Sequence, residues 1–339
     1  MRVPTLIAFA AAVAFAGTAA EAQTKTKLSV YSTLVPEYIN DFKKGFEADN
    51  PDIELVLWRD STGVVAAKLV AEKDRPQADA IWGLAVTNML QLKELGILEP
   101  YAPKSLDRIK ANFRDPANPP AWVGMEAWAA AVCFNTLEAA KKGLKRPSKW
   151  ADLADPSYKG QVLMPDPASS GTGYFHVSAW MQLWGEEKAW SYMDRLHDNV
   201  AMYIKSGTKP CRMAASGEFP VGISYELAGV AARQGNAPVE ILVMEEGGGW
   251  DMDTAAIVKG TKNAEAARRL MDWAASEKAN RLYARFATMV AMKGVETDMP
   301  FYPKGLEESL IRNDFLWAAS NRDRILKEWQ TRYDAKIEK

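Results

Sequence analysis

The sequence predicts an α/β fold in about two domains, with mainly parallel sheets flanked by helices. Three observations carry this. The first hundred residues alternate strand-like and helix-like segments in a βαβαβα order, which calls for a parallel sheet with helical crossovers. The chain has 339 residues, and at roughly 150 residues per domain that suggests about two. The pattern also changes character near Trp122, just after a loop marked by Pro116, Pro119 and Pro120.

Residues 1–22 are set apart from the fold. Arg2 is a short positive region, Leu6 to Gly17 is an apolar run, and Ala20-Glu21-Ala22 fits an A-x-A cleavage site ahead of Gln23. This is the layout of a secretory signal peptide, and the run is shorter than the ~20 residues a membrane span needs. No cysteine follows the run, so a lipid anchor is not expected. The expectation is a soluble, exported protein starting at Gln23.

The elements then follow in order. Lys27–Ser32 reads as a strand. Pro36 opens a helix with Ile39, Phe42 and Phe46 at helical spacing, and Asn50-Pro51 stops it. Ile53–Trp58 is a second strand, and Asp60-Ser61-Thr62-Gly63 leads into a helix reaching about Glu72. Asp79–Trp82 is a short strand, and its helix ends near Gly96. Beyond Trp122, Ala127–Phe134 is an apolar strand suited to cross between domains. Gln161–Met164 runs into a Pro/Ser/Gly-rich turn and a helix, and Val221–Tyr225 and Glu240–Met244 are further strands. Thr254–Val258 is read as the return crossing, and the chain from Ala264 is mostly helical.

Composition narrows the function. Lys and Arg total 42 against 43 Asp and Glu, which argues against a broadly basic nucleic-acid binder. Two His and two Cys are too few for a zinc ribbon or an iron–sulfur cluster. The two cysteines, Cys133 and Cys211, would meet an oxidising compartment after export, where a disulfide is expected. It would close a long loop, worth up to about 4–5 kcal/mol in the chain-entropy account. Two buried free thiols are the alternative.

Three strand-to-helix turns look alike: Ser32-Thr33, Ser61-Thr62-Gly63 and Ser169-Ser170-Gly171-Thr172. Each puts hydroxyls and free backbone N–H groups at a helix start, where the dipole favours an anion. In α/β sheets ligands bind at the carboxyl ends of the strands, where these turns lie. Ordinary helix capping by Ser and Thr is the better explanation of any one turn, and only the recurrence of three turns across both halves brings the anion reading level with it. Catalytic patterns are mostly absent: no P-loop occurs, Gly222-Ile223-Ser224-Tyr225-Glu226 lacks the closing glycine of a nucleophile elbow, and among the plentiful carboxylates nothing selects a glycosidase pair. Ser206-Gly207-Thr208-Lys209 fits S-x-x-K without its companion motifs. His197 reads as a helix-surface residue, while His176, beside the serine turn, is the histidine worth following.

Eight stretches carry a resemblance: YSTLVPEY (31–38), WRDSTGVVAAKL (58–69), DAIWGLA (79–85), NPPAWVGMEAW (118–128), CFNT (133–136), YKGQVLMPDPASSGTGYFHVSAW (158–180), SGTKPCRMAASGEFPVGISYE (206–226) and GGWDMDTAAIVKGTKN (248–263). They resemble the periplasmic solute-binding proteins of ABC importers, in particular the 2-aminoethylphosphonate-binding group. The resemblance implies a two-lobed clamshell, each lobe a mainly parallel sheet flanked by helices, with no catalysis and no cofactor. It implies a monomer in the periplasm that delivers a small ligand to a permease of the inner membrane. Related ferric-ion binders present two consecutive tyrosines; here the pair reads Tyr225-Glu226, so one hard anionic ligand is missing.

On this reading 23–128 with 250–275 form one lobe, 129–249 the other, and 276–339 is a helical region packed on one of them. The three turns would take the phosphonate. The ammonium needs a carboxylate or an aromatic face, for which Glu226, Asp251, Asp253, Trp82 and Trp122 are candidates, with Tyr225 beside Glu226. The alternatives are core packing for each Trp and a helix-start carboxylate for Glu226. A ferric-ion or polyamine binder is the rival within the class, and a secreted hydrolase the rival outside it.

Overall fold

The structure is a computed structural model describing residues 24–339, so the expected leader and Gln23 lie outside the described residues. β1 (Thr26–Ser32), α1 (Pro36–Asp49), β2 (Ile53–Arg59), α2 (Thr62–Ala71), β3 (Ala80–Ala85) and α3 (Val86–Glu94) form the expected alternation. β1 pairs in parallel with both β2 and β3. α1 starts at Pro36 because the first helical position needs no amide hydrogen, and it buries Ile39, Phe42 and Phe46 on one face. Side chains of β3 alternate across the sheet. Ala80 and Trp82 join the core layer that contains α1, and Ile81 joins the layer that contains α2 and α3.

After the short β4 (Leu98–Glu99), β5 (Val123–Asn135) is buried along its whole length because it runs through both halves. Up to Ala129 it pairs with β10 (Trp250–Val258), and from Ala130 it pairs with β8 (Val221–Tyr225). The second half adds α4 (Thr136–Lys141), β6 (Val162–Pro165), α5 (Gly171–Trp184), α6 (Glu186–Asn199), β7 (Val200–Ile204), α7 (Lys209–Ala215), α8 (Glu226–Gln234) and β9 (Val239–Leu242). β6 pairs in parallel with β7 and β8. The continuous strand order is β2-β1-β3-β10-β5-β8-β6-β7. Each half therefore has a parallel unit, as expected, but the centre is antiparallel: β5 leaves the first half and β10 re-enters it, so they run in opposite directions. The return happens before Trp250, not within Thr254–Val258, which pairs with β3 and the first part of β5.

The helices after Ala264 divide between the halves. α9 (Ala264–Ala274) and α10 (Glu277–Tyr283), followed by β11 (Met289–Val290), pack into the first core with Phe42, Phe46 and Trp82. α11 (Phe315–Tyr333) puts Ala318, Ile325, Trp329 and Tyr333 into the second core with Tyr174 and Trp180. Residues 276–339 are thus not one unit on one lobe. Cys133 on β5 and Cys211 on α7 are joined by a disulfide, with their Cα atoms 5.3 Å apart. The bond lies in a small layer with Ala214 and Ala228, on the sheet face away from the main second core.

Candidate functional site

The carboxyl ends of β1, β2, β6, β7 and β8 converge on a cleft between the halves, with a cavity of about 210 Å³. Thr33, Ser61 and Thr62 line it from the first half; Ser170, Gly171, Thr172 and Tyr225 line it from the second; Asp253 lies on its floor. Eight of the residues expected to hold the ligand therefore share one cavity.

Four others do not line it. Trp82 is fully buried against Phe42 and Trp273 and donates its indole N–H to Tyr283 Oη at 3.2 Å, because the first core lies on that face of β3. The buried Ser32 hydroxyl accepts from the Leu34 N–H at 3.2 Å and serves the turn itself. Ser169 donates its hydroxyl to Asp166 Oδ2 at 2.8 Å. Glu226 is fully buried and turned toward the hinge strand, where Oε2 accepts from the Ala129 N–H at 2.7 Å. Burial pushes its carboxyl up to about 8.

Three further candidates are structural. Asp251 accepts from Val86 N at 2.9 Å and Thr87 Oγ1 at 2.8 Å, at the start of α3. Trp122 belongs to the first-half core. His176 is buried among Trp150, Phe175 and Trp180, and its Nε2 lies 2.8 Å from the Ser224 carbonyl. Burial lowers it to about 4, so it is a neutral core residue. His197 is half-buried beneath Tyr203 and Tyr333, not on an open helix face.

The sequence reading missed several residues of the cleft. Arg59 lines it and donates Nε–H to the Leu34 carbonyl at 2.6 Å, and Lys205 lines it from the end of β7. Ser206, Gly207 and Thr208 form a fourth strand-end turn, the segment that had fitted only a catalytic pattern. Thr208 Oγ1 and Tyr225 Oη are 3.2 Å apart. The floor is acidic: Glu126 on β5 lies beside Asp253 on β10, with Trp128 nearby. Burial raises Glu126 to about 7. Burial, then the charge of Glu126, holds Asp253 well above the usual carboxylate range. Glu126 and Asp253 lie within side-chain hydrogen-bond reach of each other, and Glu126 Oε2 and Asp253 Oδ1 are buried with no other partner among the described residues. Two such carboxyls side by side keep a proton unless a cation arrives. A lone Glu in the otherwise apolar stretch from Val123 to Phe134 was the available signal for this floor.

Both helix starts reach the cleft. Ser170 caps α5 by accepting from Gly173 N at 3.3 Å, whereas Ser61 makes no side-chain cap on α2. The halves touch here, with Gly63 N–H donating to the Ser169 carbonyl at 2.9 Å.

Residues 83–308 match the family model described as bacterial extracellular solute-binding protein. An uncharacterized protein of Haemophilus influenzae is 32% identical over 329 residues, covering 94% of this chain and 93% of that one. The spermidine/putrescine-binding periplasmic protein of Escherichia coli is 29% identical over 137 residues, 38% of each chain. The periplasmic binding protein AfuA from Actinobacillus pleuropneumoniae, with fructose-6-phosphate bound, superposes with a TM-score of 0.86 at 31% identity, covering 92% of this chain and 99% of that one. The Escherichia coli and Actinobacillus pleuropneumoniae relatives are periplasmic binding proteins, transport components and not enzymes. The chain belongs to the bacterial extracellular solute-binding proteins that serve ABC importers.

Proposed function

We propose that the protein captures 2-aminoethylphosphonate in this cleft, in the periplasm, and hands it to an ABC permease of the inner membrane. The observation that carries the reading is the presence of two opposite chemistries in one small cavity. The strand-end turns offer hydroxyl and backbone donors, with Arg59 and Lys205 beside them. Charge-assisted donors of this kind suit a phosphonate. The Glu126–Asp253 floor offers an ammonium buried carboxyl oxygens that otherwise have only each other as partners. This floor replaces Glu226 as the ammonium site, since Glu226 faces Ala129. A ferric-ion site has less to stand on: Glu226 is outside the cleft and the Tyr225 hydroxyl is bonded to Thr208.

The test is calorimetry with 2-aminoethylphosphonate and ethylphosphonate across pH 6–8. The ammonium ligand binds more tightly, and its advantage grows as pH rises through about 7, where Glu126 ionises most readily. The sign follows from the raised carboxyls: below that point a proton must leave before the cation enters, so binding is opposed. The ammonium lowers the second phosphonate ionisation of 2-aminoethylphosphonate below that of ethylphosphonate, so each ligand is compared between the native protein and Asp253→Asn at the same pH, where its own ionisation cancels. Asp253→Asn abolishes the advantage and spares ethylphosphonate. Equal binding of the two ligands at every pH overturns the two-ended cleft.

A sugar phosphate is the second reading, favoured by the likeness to AfuA with its bound fructose-6-phosphate. Sugar hydroxyls would donate to the same carboxyls. Tighter binding of fructose-6-phosphate than of 2-aminoethylphosphonate puts this reading in place of the first.

A further inference from the structure

One contact across the cleft is made by backbone against backbone. Gly63, in the first turn of α2, sends its N–H to the Ser169 carbonyl of the other half at 2.9 Å. A Cβ at Gly63 would sit 2.1 Å from the Ala168 carbonyl oxygen and 3.0 Å from Ser169 Cα. Its three nearest atoms would all belong to the other half. Gly63 does not have a positive φ, so its own helix does not require glycine. Alanine is the better helix former there. The residue is therefore costly to the helix and fitted to the approach of the second lobe.

The opposing turn has little room to yield. The buried Asp166 carboxylate accepts from Ser169 N at 3.0 Å and Ser169 Oγ at 2.8 Å, and Asp166 N–H donates to the Ile204 carbonyl at 2.8 Å. Arg322 of α11, itself buried, donates to the Ala168 carbonyl at 3.3 Å from behind. The atom that a Cβ would strike is thus held by a buried cation.

We propose that Gly63 is the closure latch of the clamshell: a positioning residue, touching the opposite lobe and not the ligand, whose missing side chain lets α2 dock on the Ala168–Ser169 turn. The inference needs only that the lobes close on some ligand, and it stands apart from the identity of that ligand.

The experiment traps closure chemically. Thr62 Cβ lies 3.4 Å from where a Cβ on Gly171 would be, near the ~3.8 Å typical of a disulfide. A Thr62→Cys/Gly171→Cys protein is therefore expected to form an interlobe disulfide under mild oxidation, read by gel mobility without reductant. Adding Gly63→Ala slows this cross-linking at least tenfold. In the otherwise native protein, Gly63→Ala leaves the melting temperature without ligand unchanged or raised, and weakens 2-aminoethylphosphonate at least tenfold. Equal cross-linking with and without Gly63→Ala overturns the latch. So does a cysteine pair that never links, because the two helix starts then do not meet in solution. A clear fall in melting temperature without ligand also overturns it, by making Gly63 a requirement of its own lobe. If the native protein binds no 2-aminoethylphosphonate, the proposed ligand fails while the cross-linking result stands.

Discussion

The two hydroxyl-rich turns that face each other across the cleft, Asp60 to Gly63 before α2 and Asp166 to Gly173 into α5, are similar in sequence and differently built. The second is anchored on every side. Asp166 is buried and holds the Ser169 amide and hydroxyl, Ser170 caps α5, and Arg322 holds the Ala168 carbonyl. The first is barely anchored. Asp60 is exposed, its carboxylate accepts only from its neighbour Ser61, at 2.7 Å through the amide, its own amide donates to the Ser32 carbonyl at 3.3 Å, and Ser61 caps nothing. One turn is a fixed platform, and the other keeps its donors for whatever comes into the cleft. A hydroxyl at a helix start can be spent on the helix or left for a ligand, and residue type alone does not say which.

The largest expected effect separates the two aspartates. Asp166→Ala removes a buried carboxylate that accepts from three donors: Ala168 N at 3.4 Å, Ser169 N at 3.0 Å and Ser169 Oγ at 2.8 Å. Hydrogen bonds to charged groups contribute about 1.5–3 kcal/mol each, so a loss of roughly 3 kcal/mol in unfolding free energy is expected. Asp60→Ala should change stability by less than ~0.5 kcal/mol, as for an exposed surface site. Urea unfolding of both variants measures the contrast, and equal losses would erase the distinction between platform and free turn.

The next effect concerns the ligand. Thr62 and Thr172 line the cleft from opposite halves. Removing either hydroxyl should weaken 2-aminoethylphosphonate about tenfold, from one hydrogen bond of ~1.4 kcal/mol to a charged group. Unfolding should be unaffected in both. Calorimetry on Thr62→Ala and Thr172→Ala decides it, and wild-type affinity in either variant reduces that turn to a helix start.

The contrast also explains what could be read from the residues. β8 was legible to the residue, because an apolar run bounded by Pro220 and Glu226 leaves one choice. β7 was not, since Ala201 and Met202 are only partly buried and the run carries no alternation. The strand-end turns were legible as hydroxyl clusters. Trp82 was misread because the strand was taken to end there, whereas β3 continues to Ala85 and puts Trp82 in its interior, facing the core. The residues that decide, Phe42 and Trp273, lie far away in sequence. Arg59 and Lys205 were hidden among 42 basic residues. Glu226 and Asp253 looked alike as carboxylates beside apolar strands. Only the path of β5 shows that one faces a hinge amide and the other the cavity.

The smallest expected effect is the sharpest test of the comparison, because it changes one atom in equivalent places. Ser170 and Ser61 are the N-cap residues of α5 and α2. Ser170 Oγ accepts from the Gly173 amide, one of the donors that a helix start leaves without an internal partner. Losing such a cap costs about 1 kcal/mol. Ser61 makes no cap bond, and its hydroxyl lies 3.4 Å from Asp60 Oδ1 on an exposed turn. Ser170→Ala should therefore lower unfolding free energy by about 1 kcal/mol, while Ser61→Ala leaves it unchanged to within ~0.5 kcal/mol. Both serines line the cleft, so binding alone would not separate them, and denaturant unfolding without ligand is the measurement that does. A Ser61→Ala loss as large as that of Ser170→Ala would mean that α2 is capped in solution like α5. The first turn would then be a second fixed platform, with fewer free donors to offer an anion.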